Sequence, residues 1–279
     1  MNARAAFAAA VASLLVALPA RAQTPACDAL SAQAGEVARQ VLESQPPYEG
    51  CDQPIATCLK NNPSDRLALR LADFVCRRAA SRQDRATIER SLERRALSMM
   101  RPGRRYTIED AAWPIAGCTA AKVKVVAYVC ARCPFCSKLL PDLHREITAG
   151  RLAGRVALTV RPFPIKSHAN STEANLAVAA AAGLGKAWEY LLHAYRHFDR
   201  FTPDAPARWA ADLGLDAAAF AAAAAGPAAR DFVVAAKKEG LRNGVEATPT
   251  LFINGRRYVG DLDVETLVDV LEEEAEAAR

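Results

Sequence analysis

Lys122-Val-Lys-Val-Val-Ala-Tyr-Val129 runs directly into Cys130-Ala-Arg-Cys133-Pro-Phe-Cys136, and this junction decides the fold. The first segment is apolar and rich in valine, which predicts a buried strand. A Cys-x-x-Cys straight after it, with Pro134 suited to a first helical turn, puts Cys133 at a helix N-terminus. Unpaired backbone N–H groups and the macrodipole favour negative charge there. A free cysteine titrates near ~8.5 and such sites bring it to roughly 3.5–7.5, so Cys133 is expected to be a thiolate nucleophile. Cys136, one turn on and on the same side of the helix, can close a short-loop disulfide with it. Together with Pro141 and the distant Thr248-Pro249-Thr250, the arrangement implies thiol–disulfide chemistry.

Outward from the junction, Lys122–Val129 reads as a strand, Pro134–Ala149 as a helix and Arg155–Arg161 as a second strand, which together make a βαβ unit. Far downstream come Thr250–Ile253, the turn Asn254-Gly255, Arg256–Val259 and a last helix from about Asp263. Asn-Gly between two short β-prone runs is a hairpin signal. Between the halves, from about residue 164 to 244, only helical patterns occur: Thr172–Ala182, Lys186–His197, Ala205–Leu213, Ala217–Ala225 and Ala228–Arg242. The Ala-rich tract 217–225, after a capping Asp216 and before Gly226-Pro227, reads as a helix rather than disorder. The fold class is therefore α/β: βαβ, a helical insert, then ββα, over residues 113–279.

Residues 23–105 read as a separate all-helical domain. Leu30, Val37 and Val41 share a face with Cys27; Leu67, Leu71 and Phe74 make a second; Ile88, Leu92, Ala96 and Met99 make a third. Asn62-Pro63-Ser64-Asp65 is a helix start. Cys27, Cys51, Cys58 and Cys76 point to two structural disulfides, with three pairings open. If 54–60 is helical, Cys51 and Cys58 stand about 10 Å apart, too far for one bridge, which favours links between helices. No Cys-x-x-Cys pair and no histidine among these residues supports a metal site. Arg101-Pro-Gly-Arg-Arg105 reads as the linker, and Thr107-Ile-Glu-Asp110 as one further helical turn.

Residues 1–22 carry an early Arg4, an apolar stretch from Ala5 to Leu18 and Ala20-Arg21-Ala22 before Gln23. That is the pattern of a cleaved secretory signal, too short to span a bilayer. The mature chain is then expected in an oxidising space, a bacterial periplasm, which suits its eight cysteines. The formal net charge is +5, and ten arginines fall between Arg77 and Arg105. With no aromatic residues interleaved, a solvated helix face explains them better than a nucleic-acid or membrane surface.

Cys133-Pro-Phe-Cys136 after a buried strand, Pro141 in the helix, Arg161-Pro-Phe-Pro-Ile with His168, the insert, and Ala247-Thr-Pro-Thr-Leu-Phe-Ile-Asn-Gly255 resemble the DsbA-like family of periplasmic thiol–disulfide oxidoreductases, on a thioredoxin fold. The resemblance covers residues 113–279. It implies that Cys133 attacks, that Cys136 resolves the mixed disulfide, and that Pro249 is a cis-proline exposing the Thr248 backbone to an extended substrate strand. It implies a kink at Pro141, no cofactor and no metal, with protein thiols and a redox partner yet to be identified as partners, and membrane association only through such a partner. Two positions depart from the pattern. Ala127 stands where family members often carry a buried acid, and Phe135 where strong oxidants carry a histidine that stabilises the thiolate. Arg132 is the nearby positive charge expected to supply part of that stabilisation.

Other readings compete at single residues. Cys130, Cys133 and Cys136 match three ligands of a ferredoxin cluster, but Leu140 occupies the fourth position. Cys133–Cys136 as a mere structural bridge would remove little unfolded-state entropy. Cys118 and Cys130 are expected to form a third structural bridge, with a second redox pair relaying to Cys133 as the alternative. His193 and His197, four apart, suit a solvated helix face better than a metal site. His168 is either loop packing or a neighbour of the redox site. The leading reading is a periplasmic oxidant that donates the Cys133–Cys136 disulfide. The rivals are an isomerase or reductase using the N-terminal helices for dimerisation or docking, and a non-catalytic protein holding a partner strand at Thr248-Pro249.

Overall fold

The computed structural model describes residues 25–100, 103–109 and 115–278. The signal-sequence reading at 1–22, Trp113 and part of the linker lie outside the described residues.

Five helices come first: α1 (Pro25–Asp28), α2 (Ala32–Leu42), α3 (Ile55–Asn61), α4 (Arg66–Ala80) and α5 (Arg85–Met99). Ser31, Asp65 and Asp84 cap α2, α4 and α5 by accepting from the backbone N–H of Ala34, Ala68 and Thr87. Their apolar faces close a core around Val41, Ile55, Leu71, Phe74, Val75 and Ile88. Cys27 is bonded to Cys76, and Cys51 to Cys58. The second pairing corrects the expectation that these two stand too far apart. The helix begins only at Ile55, so Cys51 lies on the turn before it and its Cα is 6.2 Å from that of Cys58. Loop size ranks the two bridges. Replacing Cys27 and Cys76 together by serine opens a link across 49 residues and is expected to cost about 4 kcal/mol, against about 2.5 kcal/mol for the seven-residue link of Cys51 and Cys58. Denaturant melts of the two double variants check the order.

The sheet domain follows as β1 (Ala116–Gly117), β2 (Val123–Val129), α6 (Pro134–Thr148) and β3 (Val156–Pro162). The insert holds α7 (Ser171–Gly183), α8 (Ala187–Arg196), a 3-10 turn at Phe198–Arg200, α9 (Ala205–Asp212), α10 (Ala217–Ala225) and α11 (Pro227–Arg242), and the chain returns through β4 (Thr250–Ile253), β5 (Arg256–Arg257) and α12 (Val264–Ala277). The strand order is β1-β3-β2-β4-β5, with β2 and β3 parallel and the other pairings antiparallel. This is the expected α/β thioredoxin-like fold, βαβ then ββα around a helical insert, preceded by helices. Two segments differ from expectation. The second hairpin strand stops at Arg257, and residues 107–109 are not helical, because the Tyr106 N–H pairs with Gly255 O and the Glu109 N–H with the Glu239 carboxylate.

The two faces of β2 serve different cores. Val123, Val125, Ala127 and Val129 meet α6, α8 and α12, while Tyr128 turns to Phe163, Val245 and Phe252 on the other side. No single helix among the described residues is long and apolar enough to cross a membrane; α10 and α11 together pass on length and composition but are bent by 50°.

The arginine-rich stretch is a solvated face only in part: Arg82, Arg85, Arg90, Arg104 and Arg105 are exposed, whereas others turn inward to acids at and before α12. Arg70 pairs with Glu276 at 2.7 Å, Arg77 with Asp269 at 2.5 Å, Arg78 with Asp263 at 2.5 Å and Arg94 with Asp261 at 2.6 Å. Arg95, wholly buried, reaches Glu273 at 3.1 Å, and Tyr48 also bonds that carboxylate. The excess of positive charge on α4 and α5 thus answers the acidic face and entry of α12, which docks the N-terminal helices onto the sheet domain.

Candidate active site

The end of β2, the start of α6 and the loop before β4 converge. Cys133 is the N-cap of α6, in extended backbone, and Pro134 opens the helix. Its N–H closes a turn on the Cys130 carbonyl at 3.0 Å. The Thr248–Pro249 peptide is cis, and the Cys133 thiol donates to the Thr248 carbonyl at 3.1 Å. The structure therefore brings together Cys133, Cys136, Thr248 and Pro249 from positions more than a hundred residues apart in the chain. Pro141 lies inside α6.

The two thiols are unequal. Cys133 is pulled down to about 5. The neighbouring Cys136 thiol is the largest cause; burial opposes it, and Thr248 with the N–H groups of Cys136 and Phe135 adds to the lowering. Cys136 moves the other way, well above the ordinary thiol range, first because it is buried and then because of the neighbouring Cys133. The helix start supplies the donors that the sequence pattern anticipates. Of Thr248 it is the backbone carbonyl that meets Cys133, as the resemblance implies, while its buried hydroxyl makes no hydrogen bond.

Arg132 does not play the part expected of it. Its guanidinium lies over the rings of Phe198 and Phe201, at 4.5 and 4.4 Å, and donates to the Phe198 carbonyl at 2.6 Å. This contact ties the active-site turn to the insert. Phe135 between the cysteines is 69% exposed, so its ring faces solvent beside the site.

Cys118 and Cys130 are both free, which overturns the expected bridge. Cys118 precedes β2, its N–H on Val156 O where β3 begins, while Cys130 follows the far end of β2. Seven strand residues at about 3.3 Å each separate the two positions. The Cys130 sulfur is buried among Ser171 Oγ at 3.2 Å, the Arg132 N–H at 3.4 Å, and His168 Nδ1 and Asn175 Nδ2 at 3.5 Å. His168 is thus a neighbour of the redox turn. Ser171 and Asn175 went unnoticed in the sequence; their spacing of four on α7 is the signal that could have placed both on one face. Of the two histidines expected on a solvated face, His197 is half-exposed and His193 is not solvated. His193 is buried, the two rings lie 4.5 Å apart, and both pack against Trp209. No cluster of three metal-ligating side chains occurs among the described residues.

Known proteins share this architecture. The thiol–disulfide exchange protein alpha-DsbA2 of Wolbachia pipientis superposes with a TM-score of 0.51 at 22% identity, over 61% of this chain and 89% of that one. The catalytic domain of ScsC from Proteus mirabilis gives 0.52 at 18% identity, over 60% and 92%. Likeness at these identities is one of fold. In sequence, a Na(+)/H(+) antiporter NhaA of Herminiimonas arsenicoxydans is 29% identical over 158 residues, 57% of this chain and 25% of the antiporter. The chain thus spans about a quarter of the length of such curated relatives. The thioredoxin family model matches residues 110–273, more than half of the chain and nearly all of the sheet domain. A strand ending in a helix-capping cysteine, faced by a cis-proline loop, is therefore inherited architecture: the chain belongs to the thioredoxin family, with a helical insert between its halves.

Proposed function

We propose that the protein exchanges disulfides with protein thiols through Cys133 and Cys136, in the oxidising direction and in a bacterial periplasm. One observation carries the reading: a cysteine at a helix start held near pKa 5 beside a buried, protonated partner. A substrate thiolate attacks Cys133 Sγ and expels Cys136, and a second substrate thiolate then attacks the substrate sulfur of the mixed disulfide and expels Cys133; in the reverse direction Cys133 attacks a substrate disulfide and Cys136 displaces the substrate sulfur. Thr248 and Pro249 border the reacting sulfur, where an extended substrate strand can add its backbone. A stabilised thiolate favours the dithiol over the disulfide, which makes the disulfide the better oxidant. The two N-terminal bridges support an oxidising compartment.

The pH dependence follows from the sign of the shift. Cys133 has a folded pKa depressed from about 9 to about 5. Its ionisation therefore stabilises the reduced protein fully above pH 9, and this contribution is lost as pH falls towards 5. Discounted for screening, it amounts to about 2 kcal/mol at pH 7. The reduced form is expected to melt above the oxidised form at pH 7, with the gap closing at acid pH, and alkylation of Cys133 to follow a midpoint near 5. Equilibration of the pair in glutathione buffers tests direction: a potential below that of glutathione would make the protein a reductant instead.

A further inference from the structure

Cys136 must carry negative charge at one point of every exchange. It leaves as a thiolate when the Cys133–Cys136 disulfide opens, and attacks as a thiolate when the disulfide closes. Yet it is fully buried. β2 offers no acid beneath it, since the position is Ala127; the buried carboxylate of Glu239 is bonded to Tyr128, on the opposite face of the sheet.

The polar group that reaches the thiols from behind is Tyr195 of α8. Its buried hydroxyl donates to the Cys130 carbonyl at 3.3 Å, the same oxygen that takes the Cys133 N–H at 3.0 Å. The Cys136 thiol lies in the same buried cluster as this hydroxyl and acts on it electrostatically. A phenol O–H has one proton to give and can turn it between two acceptors.

We propose that the Tyr195 hydroxyl is the donor that holds Cys136 as a thiolate during exchange, turning from the Cys130 carbonyl to the Cys136 sulfur when the disulfide opens and back when it closes. The proposal rests on the exchange reading above. On opening, a substrate thiolate bonds to Cys133 Sγ, the Cys133–Cys136 bond breaks and its electron pair stays on Cys136. That sulfur then takes up the proton the substrate thiol released to solvent, and closing reverses each event. Tyr195 keeps its own proton throughout, because burial first and the thiols next push its pKa well above that of a phenol. The titratable groups facing the hydroxyl are Cys136, Cys130 and Cys133. On its own helix, His193 turns to Asp212 and His197 stacks on Trp209.

The reduced protein mixed with dithiobis-nitrobenzoate separates the steps in stopped flow: Cys133 releases a first thionitrobenzoate, and Cys136 a second by resolving the mixed disulfide. In Tyr195→Phe the second phase is expected to slow about tenfold, with its pH midpoint raised by about one unit, while the first phase is unchanged. A second phase at the parent's rate and midpoint would overturn the proposal, as would equal slowing of both phases, which makes Tyr195 an anchor of the turn only. Should Tyr195→Phe not fold, fluorotyrosine at position 195, a stronger donor, is expected to lower the midpoint, and no shift overturns the idea. Absence of any second phase in the parent protein would instead sink the exchange reading itself.

Discussion

Replacing Cys133 with serine is expected to abolish insulin reduction and peptide-thiol oxidation, by more than about a thousandfold, because a serine hydroxyl is neither ionised at neutral pH nor able to form a disulfide. Cys136→Ser should behave differently. It retains the acidic nucleophile but has no resolving thiol, so a mixed disulfide with substrate accumulates and is visible by mass spectrometry without reductant. The pair of outcomes separates the competing accounts. A protein that only holds a partner strand at Thr248-Pro249 keeps its binding in both variants. If Cys133–Cys136 were a structural bridge, both variants would lose stability and neither would trap substrate. Full exchange activity in Cys133→Ser would remove the nucleophile assignment altogether.

The largest expected effect on stability lies away from the thiols, at Arg95. Its side chain is wholly buried between α5 and α12, pairs with Glu273, lies 3.9 Å from Asp269 and stands 5.6 Å from the Phe74 ring centre. Arg95→Ala leaves a cavity and strips Glu273 of its cation, so a loss of about 3–5 kcal/mol is expected in chemical denaturation. Arg94→Ala is the control. It removes a half-exposed partner of Asp261 and should cost under about 1 kcal/mol. Equal losses in the two variants would mean that burial of the Arg95 pair contributes nothing of its own.

How far the sequence disclosed this molecule depends on the range of each interaction. The βαβ unit, the Asn254-Gly255 hairpin and the insert helices were readable because each rests on periodicity, caps or turn residues within one segment. The extent of 217–225 as a helix follows from Asp216 accepting from the Ala219 N–H. Cys133 and Cys136 were legible from their place after a strand, and Thr248-Pro249 from the family pattern. What stayed hidden depends on partners that folding supplies. Nothing local says that Tyr195 points at the Cys130 carbonyl 65 residues away, or that Arg132 is held by two phenylalanines of the insert. Arg77, Arg78, Arg94 and Arg95 looked solvated because their acids lie far along the chain, at and before α12. The bridge expected between Cys118 and Cys130 failed because proximity along the chain hid a whole strand between them.

The docking of α5 on α12 has a consequence for the order in which the molecule can assemble. Arg95 and Glu273 are 178 residues apart, with the entire catalytic sheet between them in the chain. The N-terminal helices can complete their own core and disulfides early, but their charged face gains its counterions only after the last helix has formed. The salt bridges between these helices and α12 thus depend on a helix that closes the thioredoxin unit at the far end of the chain.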